Sequence, residues 1–534
     1  MATAIEVGIG LPNVGARVYL LEIQIGSTLT RVASEMLSVS SGDGDLFYDA
    51  GLVGLEIARS FSTDADTTEP DVPIELAPGT LDVGALLNAG HDIASAIGEL
   101  SVIEIGDTYE QREVLVAGRV SEPVYGLASE PVSFSLRLGM RRRRVLIPDV
   151  LAKLERALWD GPADLPEGSW GFTGPFVFGA PGEVFGIAAV GAGRIAGSPG
   201  YAVAGPYDTA EILICEAPVE ASTVWLAYAD EEANDRSWVQ ANVVQYLATN
   251  RETMAFAALP ASLNDASDRT RFLVRWINGG AAKNFNQDGA IQTAGELLEY
   301  LLHRYGDCDA ERTAAAVELL PFRVDGYIDE RVDILDWIRQ NMLPLFPVAL
   351  ARSGRGLYPV VGRPWLDPSA PAPELSVARR ELHRVGTVTY DGGDAIYNEI
   401  EIQYGLDCGT RNYLFTAVLT GDDGATPSPS LATTRRVQHS RARYGEQAKV
   451  IRSNIVSRPE TANAIAHWHA QRYALPTRVA SYSTTQLPRS STLGSGIWVE
   501  DADRGIDHLC VLERIEDRRG GEQIITVRTV ERAG

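Results

Sequence analysis

Cysteine is scarce in this chain, and what there is lies scattered. Cys215, Cys308, Cys408 and Cys510 stand roughly a hundred residues apart and form no C-x-x-C pair or Cys/His cluster, so neither a disulfide framework nor a zinc site is readable. Four reduced, mostly buried thiols are expected instead. Long apolar runs are missing too: none approaches the roughly 20 residues that span a bilayer, and no membrane segment is expected. The N-terminus, Met1-Ala2-Thr3-Ala4-Ile5-Glu6-Val7, lacks the basic and apolar regions of a secretory signal. The expectation is a chain made in a cytoplasm that stays there or leaves inside a larger particle. Positive charge is in deficit, with 47 Lys and Arg against 71 Asp and Glu, a net charge of −24 and a pI near 4.8. That balance argues against a sequence-reading nucleic-acid binder, which carries a basic stripe. An acidic wall still suits a conduit for DNA, because repulsion keeps the polymer from sticking.

Catalytic motifs are equally absent. No G-x-S-x-G elbow, Walker loop or H-E-x-x-H occurs. His467 and His469 are the one close histidine pair, and on a helix residues two apart point to nearly opposite sides. Gly191-x-Gly193-x-x-Ala196 imitates a dinucleotide fingerprint, but Gly197-Ser198-Pro199-Gly200 follows at once and no phosphate-binding helix can start. The Gly42-Asp43-Gly44-Asp45 turn offers two carboxylates where calcium wants six to eight oxygens, so a solvated turn is expected. A glycoside hydrolase needs two carboxylates held across a cleft; the acids here are too many to exclude that class, yet no stretch groups one with flanking aromatics. The arginine run 141–144 reads as a solvated or inter-subunit face rather than a phosphate contact. No catalytic, cofactor-binding or metal-binding residue is assigned, and no cofactor is expected.

What is present is the composition of a globular protein: 45% hydrophobic and 22% charged residues in 534, enough for several cores and for about three or four domains. Residues 18–25, 52–58, 114–120 and 132–138 alternate apolar with polar, the pattern of strands with one wet face. The triplet Ser-Glu-Pro occurs at 121–123 and 129–131 and reads as a wide hairpin whose prolines need no ladder donor. A short helix is expected at 83–91, ended by Gly90, and another at 148–158. Residues 161–218 are rich in Gly, Pro and Ala and read as a glycine-cornered β-domain inserted between other strands. A strand at 271–277 follows. Thr293 and Glu296 form a capping box before the stripe Leu297, Leu298, Leu301, Leu302 and Tyr305, stopped by Gly306. A helix at 334–342 and a stiff proline-rich crossing at 365–373 come next. Residues 398–404 alternate cleanly, with Ile400 and Ile402 inward and Glu399, Glu401 and Gln403 outward; an exposed loop is expected at 421–431. Ser457 and Glu460 read as a second capping box on a helix at 458–473 carrying Ile465, Trp468 and Tyr473. Strands at 497–500, 509–515 and 524–530 close the chain.

The frame Gly494-Ser-Gly-Ile-Trp-Val-Glu-Asp, then Cys510-Val-Leu-Glu-Arg-Ile-Glu-Asp, Gly520-Gly521 and Ile524-Ile-Thr-Val-Arg-Thr-Val resembles the last barrel segment of phage tail hub proteins. GELLEYLLHRYG, VDGYIDERVDILDWIRQNMLPLFPVAL and GLYPVV are similar to the central region of hubs from gene-transfer-agent-like and marine siphophage tails. The resemblance covers residues 272–531 and is structural, so nothing catalytic comes with it. It implies a mainly β chain with helices (α+β), multidomain, with two related small β-barrels plus peripheral domains. The boundaries expected are a first β-rich barrel part at 1–145, an inserted peripheral β-domain at 146–250, return strands to the first barrel at 251–290, a helical peripheral domain at 291–375 and a second barrel at 376–534. It further implies a trimeric ring in the virion, at the tail tip or baseplate, joining a hexameric distal tail ring protein to a trimeric central tip or fibre protein. An axial channel would pass the tape measure protein and then DNA. Glu399 and Glu401 are the named candidates for lining it, with the arginines at 141–144 and 435–443 outside. The alternative is a carbohydrate-active enzyme or binding module acting on a host surface.

Overall fold

The computed structural model describes residues 17–60, 72–91, 93–124, 130–137, 145–148, 175–180, 198–204, 210–228, 236–249, 252–258, 260–263, 271–276, 289–353, 355–390, 396–408, 410–420, 431–488, 491–518 and 522–530. The arginine run 141–144, the glycine-rich look-alike at 191–196 and nearly all of the helix expected at 148–158 lie outside them.

Five strands open the chain: β1 (Arg17–Ile25), β2 (Thr28–Ala33), β3 (Leu37–Ser41), β4 (Gly44–Ala50) and β5 (Leu52–Ser60). Then come β6 (Val72–Leu76), α1 (Val83–Asn88), β7 (Ile97–Glu104), β8 (Glu113–Val124) and β9 (Val132–Arg137). The alternating pattern delivers what it promised. In β6, Val72, Ile74 and Leu76 are buried while Pro73 and Glu75 are exposed, and Val132, Phe134 and Leu136 of β9 are buried too. The β8–β9 ladder breaks between Ser121 and Val124, so Pro123 sits in a bulge that asks for no N–H. Helix α1 stops short of Gly90, whose φ of +80° is a left-handed turn open to glycine.

After β10 (Leu146–Ile147) and β11 (Phe176–Phe178) the chain builds a separate closed barrel. Its strands are β12 (Ser198–Ala204), β13 (Ala210–Cys215), β14 (Thr223–Tyr228), β15 (Val239–Thr249), β16 (Glu252–Ala258) and β17 (Arg271–Arg275), hydrogen-bonded in the order β12-β13-β16-β15-β14-β17. Ile212, Ile214, Val224, Leu226, Phe272 and Val274 are buried among them. β16 and β17, in the stretch 251–290 expected to return to the first strands, pair instead with β13, β15, β12 and β14 of this barrel. They complete the insert. Without them β13, β15, β12 and β14 would each keep a bare edge; with them the barrel has none.

The middle of the chain gives α2 (Ala294–Tyr305), α3 (Ala310–Val317), β18 (Gly326–Ile328), β19 (Val332–Asp333), α4 (Ile334–Asn341), β20 (Val348–Ser353), β21 (Gly356–Val361) and α5 (Arg363–Leu366). Two short pairings, β10 with β19 and β11 with β18, tie the roots of the insert to this layer. In α2 the capping box forms as read. Thr293 Oγ1 accepts from the Glu296 N–H at 3.2 Å, and Glu296 Oε2 accepts from the N–H groups of Thr293 and Gln292 at 3.1 and 2.8 Å. Leu297, Leu298, Leu301 and Leu302 are fully buried, each contributing about 1.5–3 kcal/mol of transfer free energy, and Gly306 caps the end with φ +82°.

The C-terminal third supplies β22 (Glu374–Ser376), β23 (His383–Tyr390), β24 (Glu399–Leu406), β25 (Tyr413–Leu419), α6 (Leu431–Tyr444), β26 (Ala448–Arg452), α7 (Pro459–Tyr473), β27 (Arg478–Thr484), β28 (Gly496–Asp501), β29 (Ile506–Arg518) and β30 (Gln523–Thr529). The β25-β24-β26 sheet is packed under α7, with Ile400 and Ile402 inward as their alternation requires. The capping box read at Ser457 and Glu460 does not form. The N-cap is Arg458 with no side-chain cap, and Pro459 occupies the first helical position, where its missing N–H costs nothing. Ser457 Oγ donates instead to the buried Asp325 carboxylate, which also accepts from the Ala180 N–H at 2.7 Å and from Arg458 Nε at 3.3 Å. A buried carboxylate outcompetes a helix end for that hydroxyl.

The two ends of the chain meet in one sheet. Its order is β23-β27-β30-β29-β5-β6-β9-β8-β7-β1-β2-β4-β3, with β28 and β22 branching from β29. The seam is β5 against β29, where residues 56–60 pair with residues 514–518. Beneath it lie two apolar cores, one around Tyr19, Leu100 and Phe134, the other around Tyr482, Val511 and Ile525. Urea unfolding should separate the two helix starts: Glu296→Ala costs about 0.5–2 kcal/mol as a lost cap, whereas Glu460→Ala stays within the ~0.5 kcal/mol of an ordinary surface change.

Candidate assembly interface

The long sheet does not close, and β23, β3 and the branch strand β22 each have one partner among the described residues; the two ends of its main path are β23 and β3. No residue of β23 is buried, and Tyr390 is 67% exposed. At the other end Met36, beside β3, and Phe47, opposite Ser38 in β4, are exposed by 78% and 73%. Large apolar side chains on an unpaired edge are the chemistry of a contact surface.

The β23 edge is held from its inner side. Its ladder with β27 shifts register between Val385 and Thr389, and Gly386 takes φ +60°. Arg384 grips the fully buried Asp501 carboxylate through Nε at 3.0 Å and a second guanidinium nitrogen at 2.5 Å, and Asp503 lies 2.7 Å away. Tyr482 Oη donates to the same carboxylate at 3.1 Å, and Arg504 donates to the Gly386 carbonyl at 2.6 Å. Burial alone would raise the Asp501 carboxyl; the Arg384 and Tyr482 hydrogen bonds outweigh it and hold it below its ordinary value.

Glu399 and Glu401, the residues named for a channel wall, lie on the half-buried outer face of β24. Burial and a hydrogen bond shared with Glu446 raise the Glu399 carboxyl, so Glu399 holds a proton more readily than an isolated glutamate does. Arg441 stands 3.9 Å from Glu399 and 3.1 Å from Glu446, and Gln403 donates to Glu401 at 2.7 Å. The acidic face and part of the basic segment 435–443, expected apart, meet here because α6 packs its last turn beside β24.

The remaining sequence candidates hold structural places. The His469 ring is buried between Tyr397 Oη, 2.8 Å from Nδ1, and the Pro344 carbonyl, which accepts from Nε2 at 3.1 Å; burial pushes its pKa down to about 3. Cys215, Cys408 and Cys510 are buried thiols in no disulfide, and burial pushes Cys215 up to about 12 and Cys408 up to about 11, which leaves these two inert. Cys308 is half-buried and close to Thr313 Oγ1 at 3.3 Å. Gly42 to Asp45 form the β3–β4 turn, where the Gly42 N–H donates to Glu110. Among the described residues no three His, Cys, Asp or Glu groups gather as a metal site, and no helix is long and apolar enough to cross a membrane.

No protein-family model matches the sequence, and no curated protein matches it either. Solved structures do. The chain is similar to the 43 kDa tail protein of prophage MuSo2 from Shewanella oneidensis, at 10% identity over 96% of this chain and 98% of that one, with a TM-score of 0.32. It is similar to a tail protein from Neisseria meningitidis MC58, at 10% identity over 96% of both chains and a TM-score of 0.36. A chain in the virion of a native gene transfer agent particle matches at 13% identity over 72% of this chain and 90% of that one, with a TM-score of 0.36. These scores are low, and the likeness extends to the fold alone.

Sequence reasoning did not single out β23. The run Val385, Thr387, Val388 and Thr389 is the β-branched signal that would have found it. The buried Asp501 gives the edge a pH dependence. Its folded-state pKa is depressed from 3.8, so its stabilising bonds are complete above that value and are lost as pH falls through the lower, folded one. Hydrogen exchange should show the amides of residues 383–390 losing protection on acidification below about pH 4. In Asp501→Asn they should exchange fast already at pH 7.

Proposed function

We propose that this chain is a structural hub of a phage tail tip or baseplate, assembled as a homotrimeric ring inside the virion and made in the host cytoplasm. It would join a hexameric distal tail ring protein to a trimeric central tip or fibre protein and surround a channel for the tape measure protein and DNA. The observation that carries the reading is the single sheet built from both chain ends, open at β3 and at β23. Pairing of β3 on one copy with β23 on the next would be head-to-tail, and such contacts close into rings when the rotation permits. The resemblance of residues 272–531 to tail hubs supplies the ring number and the partners.

Within that ring Glu399 and Glu401 are the bore-lining candidates. Glu401 is the stronger of the two, because Arg441 sits beside Glu399. Carboxylates along a bore repel phosphate at short range, over about 8–10 Å at physiological salt, so DNA slides without a local trap. No catalytic step is assigned to the chain.

Mass photometry of the purified protein, alone and with its ring partner, should show three copies of the 57.7 kDa chain. Val388→Pro on β23 should return it to the monomer, since proline removes an edge donor and breaks added pairing. A mass that stays monomeric in every mixture would overturn the ring. Zymograms on cell wall and capsular polysaccharide should show no clearing; a clear band would instead establish the carbohydrate-active alternative.

A further inference from the structure

Beside the seam, away from both open edges, a cavity of about 290 Å³ opens between β1, β5, α3, β21 and the segment leading into β28. Its polar wall carries Arg17, Arg59, Arg312 and Arg363, with Glu113 as the one carboxylate lining it. Asp517 stands just behind, 2.8 Å from Arg59 and 3.9 Å from Arg17. Glu113 bridges Arg59 at 3.1 Å and Arg312 at 2.7 Å. Asp309 lies 3.6 Å from Arg312, so four guanidinium groups meet three carboxylates, a small local surplus of positive charge in a chain whose net charge is −24.

Two donors in the wall are unsatisfied. Ser491 is 8% exposed and lines the cavity, yet its Oγ has no hydrogen-bond partner, and neither does Arg59 Nε. Buried donors left unpaired are costly, so a vacancy of this kind asks for an acceptor. The lining also carries the apolar side chains of Leu319, Val360, Leu493 and Ile515.

We propose that this cavity is a binding site for a small tetrahedral oxyanion of the phosphate class, whose organic forms would lay an apolar body on these apolar side chains. The donors come from separate segments and approach from several sides. That suits a tetrahedral anion better than a planar carboxylate, which one guanidinium fork satisfies. The ligand would bridge β1, β5, α3 and the lead into β28, clamping the place where the two ends of the chain meet.

The test uses the full chain and three probes at matched ionic strength: inorganic phosphate, phenyl phosphate and acetate, with binding read by calorimetry and by the rise in Tm. Phosphate should bind and raise Tm, and phenyl phosphate should bind more tightly than phosphate. Arg312→Gln should weaken phosphate at least tenfold. Because that change also breaks the Glu113 pair, the exposed Arg363→Gln serves as a second variant: it should keep the parent Tm without ligand and weaken phosphate severalfold. A control outside the cavity, Arg411→Gln, whose guanidinium pairs with Asp329, should leave binding unchanged. Equal Tm in phosphate and chloride overturns the site, as does phosphate affinity that Arg363→Gln and Arg312→Gln leave intact. Acetate binding as tightly as phosphate overturns the tetrahedral class. None of these readouts depends on ring assembly, so the outcome is independent of the hub reading.

Discussion

The buried carboxylate of Asp517 sits at the constraint on which the rest of the molecule depends, the closure of both chain ends into one sheet. It lies on β29 opposite Ile57 of β5, almost wholly out of solvent, and accepts from Arg59 at 2.8 Å and from Gln523 at 2.7 Å. The intervening chain is long, but loop-closure entropy grows so slowly that each doubling of length adds only about 0.6 kcal/mol. What the seam must secure is register, since a one-residue slip would turn every inward side chain of β29 outward. The Arg59–Asp517 pair marks that register: a slipped strand would bury Asp517 without its guanidinium, and breaking a buried pair in that way costs about 3–5 kcal/mol.

Local pattern was readable wherever one face is wet and the other dry. The inward Ile400 and Ile402, the β6 and β9 alternation and the α2 stripe all needed only their own neighbours to be read. The capping boxes show where that logic ends. Thr293 and Glu296 satisfy each other across the first turn, while Ser457 has the same spacing and a buried Asp325 within reach, 132 residues away in sequence. Nothing local announces that competitor. Helix α6 was hidden for a related reason: its sequence LATTRRVQHSRARY buries Arg436 and Ser440 along with Val437, so its dry side is partly polar and carries no apolar stripe. The extent of the inserted barrel was illegible too, because β16 and β17 could as well have paired with any other bare edge. The edges of β13, β15, β12 and β14 decided it.

The acid excess is distributed in a way composition could not convey. Buried carboxylates are engaged one by one: Asp325 by Ser457 and Arg458, Asp407 by Arg236, Asp501 by Arg384 and Tyr482, Asp517 by Arg59. Arginine rather than lysine serves in each pair, as its planar fork tolerates burial and meets a carboxylate with two bonds. With these carboxylates engaged, the net charge of −24 still leaves an acidic field, which keeps copies soluble and repels other polyanions. The seam cavity runs against this trend, which is why four arginines around it carry weight.

Closure is used in two opposite ways within the one chain. The insert spends six strands on a barrel with no edge at all, and so can take part in no strand pairing with a neighbour. The long sheet, with far more strands, stops short of closing and leaves β3 and β23 bare. A sheet that wanted only protection would blunt those edges with inward charges or cover them with a helix. Here the bulged β23 is held from within by Arg384 on Asp501 and by Arg504 on Gly386, while the β3 end shows Met36 and Phe47. An edge fixed in place on its inner side is preorganised for pairing, because the ordering entropy of the strand has been met before any partner arrives.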